Sequence, residues 1–449
     1  MSFDRMKKAL TEALVALGIE EYEIYYMSSS DTSVETLNRE ISSFSSGERG
    51  GICLRVRVKG KLGYAASELM DVCEMRELAE RALENARFVE KPDEVGIFSG
   101  SESYEELRVP KYSPMSAEEL KTYALKIGNR VFDIDNRVES GSSSTAATSG
   151  TVIRIVNSHG LDLSCECGVN LAVADAVVKV GEEMQSAYAF ERIEDDADAF
   201  ADKLASRAAE DAFSKVGAEK VPSGKYNIVI SGKQMKSILS VFSAAFSARQ
   251  VLDGMSMLKG KLGERIASDV LTVTDDPQRE GSTVGCAFDA EGVATKRRAV
   301  IEKGVLLTYL HNRETAMAMN TESTANASKA DYSSPIAIRP NSFCIEPGEY
   351  TEDGLLALAG DGIYITEVKG LHAGANPVTG DFSLESAGFM IEDGKLGHAV
   401  RSFTVAGNFF DMIKKISAVG DKLELGVPTG FTSFGSPDVL IPDMSVAGE

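Results

Sequence analysis

Histidine is scarce in this sequence, and its spacing excludes one common catalytic motif. The four histidines are His159, His311, His372 and His398, and none lies four or five residues from another. A helical zinc-protease motif needs two histidines on one helix face with a glutamate beside them. The glycine-flanked serine of hydrolase elbows and the phosphate-binding glycine loops are absent as well. The sequence therefore contains no self-evident catalytic motif.

Cysteine is sparse and forms no paired motif. The six cysteines include no CxxC and no dense framework, so we expect reduced thiols in an intracellular protein. Cys165 and Cys167 are two residues apart in an expected strand, which puts both on one face. We interpret them as two buried thiols. The alternative is a metal pair, but no histidine or further cysteine pair nearby completes a set of four ligands.

Basic clusters and long apolar runs are also missing. The chain carries 47 Lys and Arg against 68 Asp and Glu, a formal net charge of -21. Without a run of basic residues, direct binding to nucleic acid or to an anionic membrane surface is disfavoured. The N-terminal residues lack the apolar core of a signal peptide, and no window approaches a membrane span. We therefore expect a cytoplasmic, soluble protein without a membrane partner.

Apolar periodicity predicts an α+β protein with two domains. The first domain, residues 1–221, is expected to contain two related units at about 1–90 and 115–217, each with a helix, antiparallel strands and a second helix. A duplication is one explanation of this pattern. The second domain, residues 222–449, reads as β-rich. Helix-flanked antiparallel sheets are therefore expected first, followed by a glycine-rich β domain.

Several local patterns support these elements. Ser116 and Glu119 form a capping-box pattern that predicts a helix start after a linker from Glu94 to Pro114. Residues 234–250 have helical apolar spacing, and Ala287–Asp289 is interpreted as part of a strand. His159 and His311 each precede a turn-forming residue and are interpreted as turn residues.

The densest grouping of glycine and polar residues lies between residues 363 and 408. Within it, His372 and His398 together with Asp381 or Glu385 would supply the residue types of a metal or acid-base site. The alternative is structural, because Asn, Thr, Asp and Ser among glycines commonly bond to the backbone of turns. The residues alone leave both interpretations open.

The same stretch, TEVKGLHAGANPVTGDFSLESAGFMIEDGKLGHAVRSFTVAGN, resembles the TldD/PmbA family, historically called modulators of DNA gyrase. Shorter matches occur in family order along nearly the whole chain. They are GYAAS (63–67), NSHG (157–160), KGKLGE (259–264), DDP (275–277), FDAEGV (288–293) and IEKGVL (301–306). Each match is short, and their order makes the resemblance specific.

The resemblance places the chain in the PmbA branch, also called TldE. The TldD branch carries a His-Glu-x-x-x-His helix and a zinc-ligand cysteine near the C-terminus. The corresponding helix positions here are Ser240, Val241 and Ala245, which are poor zinc ligands or none. The last cysteine is Cys344. The resemblance thus implies no catalytic residue, metal or cofactor in this chain and zinc in a TldD-like partner.

By resemblance, the chain is a peptidase-family subunit that is inactive without its zinc-bearing partner. The implied assembly is a heterodimer with a TldD-like chain, or a homodimer, acting on unfolded peptides in leader-peptide or antitoxin processing. The residues expected to bind peptide or form the interface are Gly370, Gly374, Asn376, Thr379, Asp381, Ser383 and Gly388. Two other functions stay open: a regulatory or binding protein without catalysis, and a self-sufficient, metal-independent hydrolase.

Overall fold

The computed structural model describes residues 3–109 and 111–449. Met1, Ser2 and Pro110, the last within the expected linker, lie outside the described residues. The described residues of the first half form four helices and six strands. In chain order these are α1 (Phe3–Ala16), β1 (Glu21–Leu37), β2 (Glu40–Val58), β3 (Lys61–Ser67), α2 (Val72–Phe88), α3 (Ala117–Ile134), β4 (Ser143–Asn157), β5 (Asp162–Val180), β6 (Glu183–Arg192) and α4 (Ala197–Ser214).

The six strands form one antiparallel sheet in the order β3-β2-β1-β4-β5-β6. The sequence of helix, three strands and helix occurs twice, and the two halves of the sheet meet where β1 pairs with β4, with Ile24 opposite Val156. The sheet therefore ends at β3 on one side and at β6 on the other. This arrangement confirms the expected α+β class with helix-flanked antiparallel strands.

The capping box of α3 is present as the sequence indicates. The Ser116 hydroxyl accepts a hydrogen bond from the Glu119 backbone N–H, and the Glu119 carboxylate accepts one from the Ser116 N–H. Asp71 and Asp196 cap α2 and α4 in a similar way with their carboxylates. These caps satisfy backbone N–H groups that the first helical turn leaves without partners.

The two faces of the sheet have different partners. Helices α1 to α4 cover one face through two apolar clusters. The other face packs against segments of the second half of the chain, where Tyr25 and Ile155 of the sheet join Phe288 and Ala327 in a buried cluster. Successive side chains of each strand point to opposite faces, so one set packs against the helices and the other packs against the second half of the chain.

Cys165 and Cys167 are buried on one side of β5, and all six cysteines are free thiols. The Cys165 thiol donates to the Gly285 carbonyl at 3.4 Å. Burial raises the pKa of the Cys167 thiol well above its ordinary value. Both residues therefore pack in the core, which confirms their interpretation as buried strand cysteines.

The second half is rich in short strands. Its helices are α5 (Gly232–Phe242), a 3-10 turn (Ser243–Phe246), α6 (Ala248–Leu252), α7 (Arg313–Ala318), α8 (Glu352–Ala359), α9 (Leu371–Gly374) and α10 (Phe409–Lys415). Its strands are β7 (Gly224–Ile230), β8 (Val273–Asp275), β9 (Arg298–Glu302), β10 (Val305–Leu306), β11 (Ala327–Ser328), β12 (Ala337–Ile338), β13 (Ser342–Ile345), β14 (Gly362–Lys369), β15 (Asp381–Glu392), β16 (Lys395–Asn408), β17 (Ala418–Val419), β18 (Glu424–Leu425), β19 (Ser433–Ser436) and β20 (Val439–Ala447).

Five of these strands close into a barrel. The sheet runs β16-β15-β14-β7-β20-β17, and a further pairing between β16 and β20 closes its first five strands. A second sheet, β10-β9-β8-β13-β19-β18, packs beside it with α5 and α10, and the main hydrophobic core of this half lies between them. Because closure pairs both barrel edges, β7 and β14 are fixed next to the cleft described below.

Two sequence-based element predictions were wrong in detail. The helical spacing over residues 234–250 is interrupted, because α5 ends at Phe242 and a 3-10 turn precedes α6. Residues 287–289 form no named strand; Phe288 makes only an isolated bridge with Ala294. The Asp289 carboxylate accepts hydrogen bonds from the N–H groups of Glu291 and Val293, which turns the chain instead of extending it.

The helices that the structure describes are too short or too polar to cross a lipid bilayer.

Candidate functional site

The loop between β14 and β15 carries most of the predicted site residues, and it is held together by its own side chains. The Asn376 amide oxygen accepts hydrogen bonds from the N–H groups of Val378 and Thr379 at 3.0 and 3.3 Å. The Asp381 carboxylate accepts from the Thr379 hydroxyl and from the Asn408 amide, each at 2.9 Å. These exposed groups stabilise the turn. Their role in peptide binding or in a subunit interface stays a prediction.

The glycines of this region allow close backbone approach. Gly370 has a left-handed φ of 78° at the start of α9. A Cβ at Gly374 would lie 2.3 Å from the carbonyl oxygen of Ser383, and one at Gly388 would lie 1.9 Å from that of Tyr364. Larger residues would therefore displace the backbone. Of the seven predicted residues, Gly388 also lines the cleft described below.

The histidines do not form the metal or acid-base site considered from the sequence. His372 is exposed on α9. His398 lies 3.3 Å from a Glu392 carboxylate oxygen and 3.7 Å from one of Glu219, both away from Asp381. Over residues 3–109 and 111–449, no three His, Cys, Asp or Glu side chains are grouped so that they could hold a metal ion.

The other two histidines differ from each other. His159 lies in the turn after β4, as predicted. His311 is only 2% exposed, and burial lowers its pKa to about 4. Its Nδ1 atom lies 3.3 Å from the Thr315 hydroxyl. His311 is therefore a neutral core residue beside α7, and its interpretation as a turn residue was wrong.

The positions that correspond to the zinc motif, two in α5 and one in the 3-10 turn after it, carry no good metal ligand. The Ser240 hydroxyl donates to the Ser237 carbonyl at 2.8 Å. Val241 packs against the main core, and Ala245 is 1% exposed within it. One hydroxyl that is bonded to the backbone and two hydrocarbon side chains do not fit a zinc ion, which needs nitrogen, sulfur or carboxylate ligands.

A cleft separates the two halves of the chain. Strand β6 and the end of α4 form one wall, and α5, β14 and β15 form the other. The cleft has three adjoining chambers of about 440, 790 and 330 Å³, which we call the first, central and basic chambers. Ser186 and Lys215 line both the first and the central chamber, whereas Lys233 and Glu424 line both the central and the basic chamber.

Strand β6 presents a free backbone edge to this cleft. It pairs with β5 on one side, and no strand in the described parts of the chain pairs with its other side. The Ser186 carbonyl accepts a hydrogen bond from Lys215 Nζ at 3.0 Å, and the Tyr188 carbonyl lies 3.5 Å from Lys233 Nζ. Because polar groups alternate along a strand, the N–H groups of Ser186 and Tyr188 point the same way. An extended peptide could bind along this edge.

The opposite wall is organised by Gln234 in the first turn of α5. Strand β14 has a bulge between Ile365 and Glu367. The Gln234 amide donates to the Thr366 carbonyl at 2.7 Å and accepts from the Val368 N–H at 3.2 Å. It thereby satisfies backbone groups that the bulge removes from the ladder. Lys215 spans the cleft and contacts the Glu367 carboxylate at 2.8 Å.

The start of α5 already has an anionic partner. Asp438 accepts hydrogen bonds from the Gly232 N–H at 2.7 Å and from the Tyr364 hydroxyl at 3.0 Å. Burial raises the pKa of both Asp438 and Tyr364. A carboxylate at this end of the helix compensates its positive partial charge. The Ser231 hydroxyl beside it is buried and has no hydrogen-bond partner within the described residues.

Three family models match this chain. The PmbA/TldA metallopeptidase domain 1 matches residues 22–86, the central domain matches 110–216, and the C-terminal domain matches 223–448. The chain belongs to the PmbA/TldD family. In this PmbA/TldD protein, the cleft lies between the parts matched by the central and C-terminal models, and its β6 wall belongs to the central one.

Relatives of known name and structure match nearly the full length. A metalloprotease of Methanocaldococcus jannaschii is 27% identical over 86% of this chain and 87% of its own length. Metalloprotease PmbA of Escherichia coli is 24% identical over 95% and 92%. The crystal structure of a Thermotoga maritima protein, described as a candidate modulator of a DNA gyrase, has 28% identity and a TM-score of 0.89 and covers 99% of this chain and 100% of its own.

A further solved structure supports the fold. TldE of Thermococcus kodakarensis superimposes with a TM-score of 0.86 at 24% identity and covers 98% of this PmbA/TldD chain and 100% of its own.

Apart from Glu385 and Gly388, the residues that line the cleft were missed from the sequence. Lys215, Lys233 and Gln234 were not predicted as site residues, because isolated polar residues in or next to helices usually face solvent. The alternation of small and aromatic residues in β6, with Ala187, Tyr188 and Ala189, was a usable strand signal.

Proposed function

We propose that this chain is the metal-free subunit of a cytoplasmic TldD/TldE-type metalloprotease complex that acts on unfolded peptides. A zinc-bearing, TldD-like chain is the proposed partner, and a homodimer is the form expected in its absence. Leader-peptide removal and antitoxin turnover are the proposed processes. In this proposal the chain holds no cofactor, does not touch nucleic acid and contributes substrate-binding surface.

The observation that carries the proposal is the free edge of β6 in the cleft. Backbone pairing along a strand edge binds extended chains with little dependence on their side chains. The edge groups of Ser186 and Tyr188 face a volume of about 790 Å³ in the central chamber. Such a surface suits unfolded clients of varied sequence.

The composition of α5 and of the 3-10 turn after it supports the assignment of chemistry to a partner. Ser240, Val241 and Ala245 supply no zinc ligand, and the three serine hydroxyls of Ser237, Ser240 and Ser243 each donate to a backbone carbonyl. A hydroxyl that donates its hydrogen to a backbone carbonyl does not donate it to a general base, which is the contact that activates a serine in nucleophilic catalysis. The naming of relatives as metalloproteases supports a peptidase context.

A reconstitution experiment tests the proposal. The purified chain, a TldD-like chain and their mixture are each incubated with an unfolded protein such as reduced casein, with and without a chelator. We expect chelator-sensitive cleavage that is much faster in the mixture than with either chain alone. A TldD-like chain whose motif glutamate is replaced by glutamine serves as the control.

The other outcomes distinguish the remaining functions. Chelator-resistant cleavage by this chain alone would indicate a self-sufficient hydrolase. Binding without any effect on cleavage would indicate a regulatory or binding protein. Either result would refute the proposed role.

A further inference from the structure

The basic chamber has the largest excess of cationic side chains among the three chambers. It lies where the end of β6 meets the first turns of α5 and the segment around Gly281 to Thr283. Four cationic side chains line it, against two carboxylates. The cations are Arg192, Arg207, Lys233 and Lys236, and the carboxylates are Glu191 and Glu424. In the central chamber the carboxylates outnumber the cations. The first chamber has an excess of one, with three cations against two carboxylates.

Lys233 and Lys236 are cations without carboxylate partners. Lys236 is 6% exposed and Lys233 is half-buried. No carboxylate oxygen of the described residues lies within 4.0 Å of either ammonium group. Lys236 Nζ donates to the Leu425 carbonyl at 3.0 Å and lies 5.4 Å from the Phe190 ring centre, whereas Lys233 Nζ lies 4.5 Å from that of Tyr188. Burial lowers the pKa of both lysines.

The remaining polar groups leave this excess positive charge in place. Arg207 is paired with Glu191 at 3.4 Å, so that carboxylate is already engaged. Arg192 is exposed at the end of β6. The Thr283 hydroxyl oxygen is buried in the chamber wall and has no hydrogen-bond partner in the part of the chain that the structure describes. A buried cation that has only neutral acceptors and a buried hydroxyl without a partner both favour an incoming acceptor.

We propose that the basic chamber binds a carboxylate group of an extended peptide. This inference rests on the proposed function, because it identifies which part of a peptide client the cleft recognises. Lys233 and Lys236 supply the ammonium donors, and the Thr283 hydroxyl supplies a neutral one. A volume of about 330 Å³ is larger than a carboxylate needs, so the group enters with part of the chain that carries it.

Strand β6 connects this chamber to the peptide-binding edge. Tyr188 lies at the central chamber, while Phe190 and Arg192 line the basic chamber. A peptide paired with β6 therefore extends into the basic chamber. If its C-terminal carboxylate is bound there, the peptide runs parallel to β6. An Asp or Glu side chain can enter from either direction.

A purely structural role for the two lysines predicts different behaviour. Their contacts with Tyr188 and Phe190 also join the two halves of the chain. If this were their whole role, replacing Lys233 would lower thermal stability and would weaken the binding of all peptides equally. A carboxylate site predicts a loss confined to peptides that carry a carboxylate.

Fluorescence anisotropy with matched peptides tests the site. The probes are three labelled, unstructured decapeptides of Gly, Ser, Ala and Thr. One has a free C-terminus, one is amidated, and one is amidated with a single internal glutamate. We expect at least one carboxylate peptide to bind the full chain about tenfold more tightly than the neutral peptide. Lys233→Gln and Lys236→Met should remove this preference, while Lys225→Gln, an exposed cation outside the cleft, should retain it.

Each outcome has a distinct meaning. Equal binding of all three peptides would overturn the carboxylate site and leave peptide binding intact. Binding of none would overturn both proposals. Tight binding of inorganic phosphate that depends on Lys233, without a preference for carboxylate peptides, would reassign the chamber to small anions. Thermal melts show whether each variant is folded. If Lys236→Met does not fold, Lys233→Gln alone tests the site.

Discussion

Gly388 joins the glycine-rich loop to the cleft wall. Its backbone lies against the Tyr364 carbonyl, where β14 and β15 pair, and it also lines the first chamber. The glycine density seen in the sequence thus has a local cause in strand packing. The loop itself is stabilised by hydrogen bonds of Asn376, Thr379 and Asp381. Turn-forming residues such as these can be recognised from their residue type. The atom that leaves no room for a Cβ at Gly388 cannot, because it belongs to another strand.

Replacing Gly388 with alanine should destabilise the barrel. The added Cβ would lie 1.9 Å from the Tyr364 carbonyl oxygen, so β14 and β15 must separate locally. We expect the free energy of unfolding in urea to fall by about 2 kcal/mol. The matched control is Gly47→Ala in β2, where no heavy atom lies within 4 Å of the added carbon. Equal stability of the two variants would contradict the close approach.

Strand β6 shows what a sequence reveals about an element and what it does not. The helices α1 to α4 follow from apolar spacing and from caps such as Ser116, because these signals are local. Strand β6 was missed, although the helix that follows it was found. The interruption of α5 after Phe242 was also missed, since the apolar spacing continues through Phe246. The order of strands in a sheet decides which strand has an exposed edge. Local sequence patterns do not reveal that order.

A proline in β6 tests whether its free edge binds peptide. Ser186 directs its carbonyl, and hence its N–H, toward the cleft, so Ser186→Pro removes a donor that β5 does not use. We expect the affinity for an extended peptide, measured by anisotropy, to fall about tenfold while the chain stays folded.

The neighbouring residue provides the control. Ala187 directs its backbone toward β5, so Ala187→Pro removes a ladder hydrogen bond and should lower the free energy of unfolding by about 3 kcal/mol. If Ser186→Pro binds peptide as well as the unsubstituted chain, the edge of β6 is not the binding surface.

The cleft is a property of the whole chain. Its walls come from residues far apart in sequence, such as Lys215 and Glu367, and it forms because loops of the second half pack against the sheet of the first. The class α+β was predictable from the order of local patterns. Closure of the barrel by β16 and β20 and the position of the cleft were not, because both depend on long-range pairing.

The ion pair between Lys215 and Glu367 should make the joining of the two halves pH-dependent. Burial alone would raise the pKa of Glu367, but hydrogen bonds and charges from Lys215 and Lys369 lower it overall. When folding lowers the pKa of a carboxyl group, the ionised group stabilises the fold at pH values above its pKa in the unfolded chain, about 4.3. This stabilisation is lost as the pH falls through the pKa of the folded state.

Lys215→Gln measures this contribution. We expect the free energy of unfolding to fall by about 1 kcal/mol at pH 7, with the difference from the unsubstituted chain shrinking as the pH falls below about 4.3 and through the lowered pKa of folded Glu367. Lys220→Gln, which removes an exposed pair with Glu449, should change nothing measurable. A difference that persists unchanged at low pH would mean that Lys215 acts through its contact with the Ser186 carbonyl alone.

The zinc content of the purified protein tests the central claim most directly. The chain is purified alone and together with a TldD-like partner, and metal is measured by elemental analysis against protein concentration. The account predicts far less than one zinc per chain for the protein alone and about one zinc per pair for the complex. Stoichiometric zinc in the lone chain would contradict the assignment of this chain as the metal-free subunit.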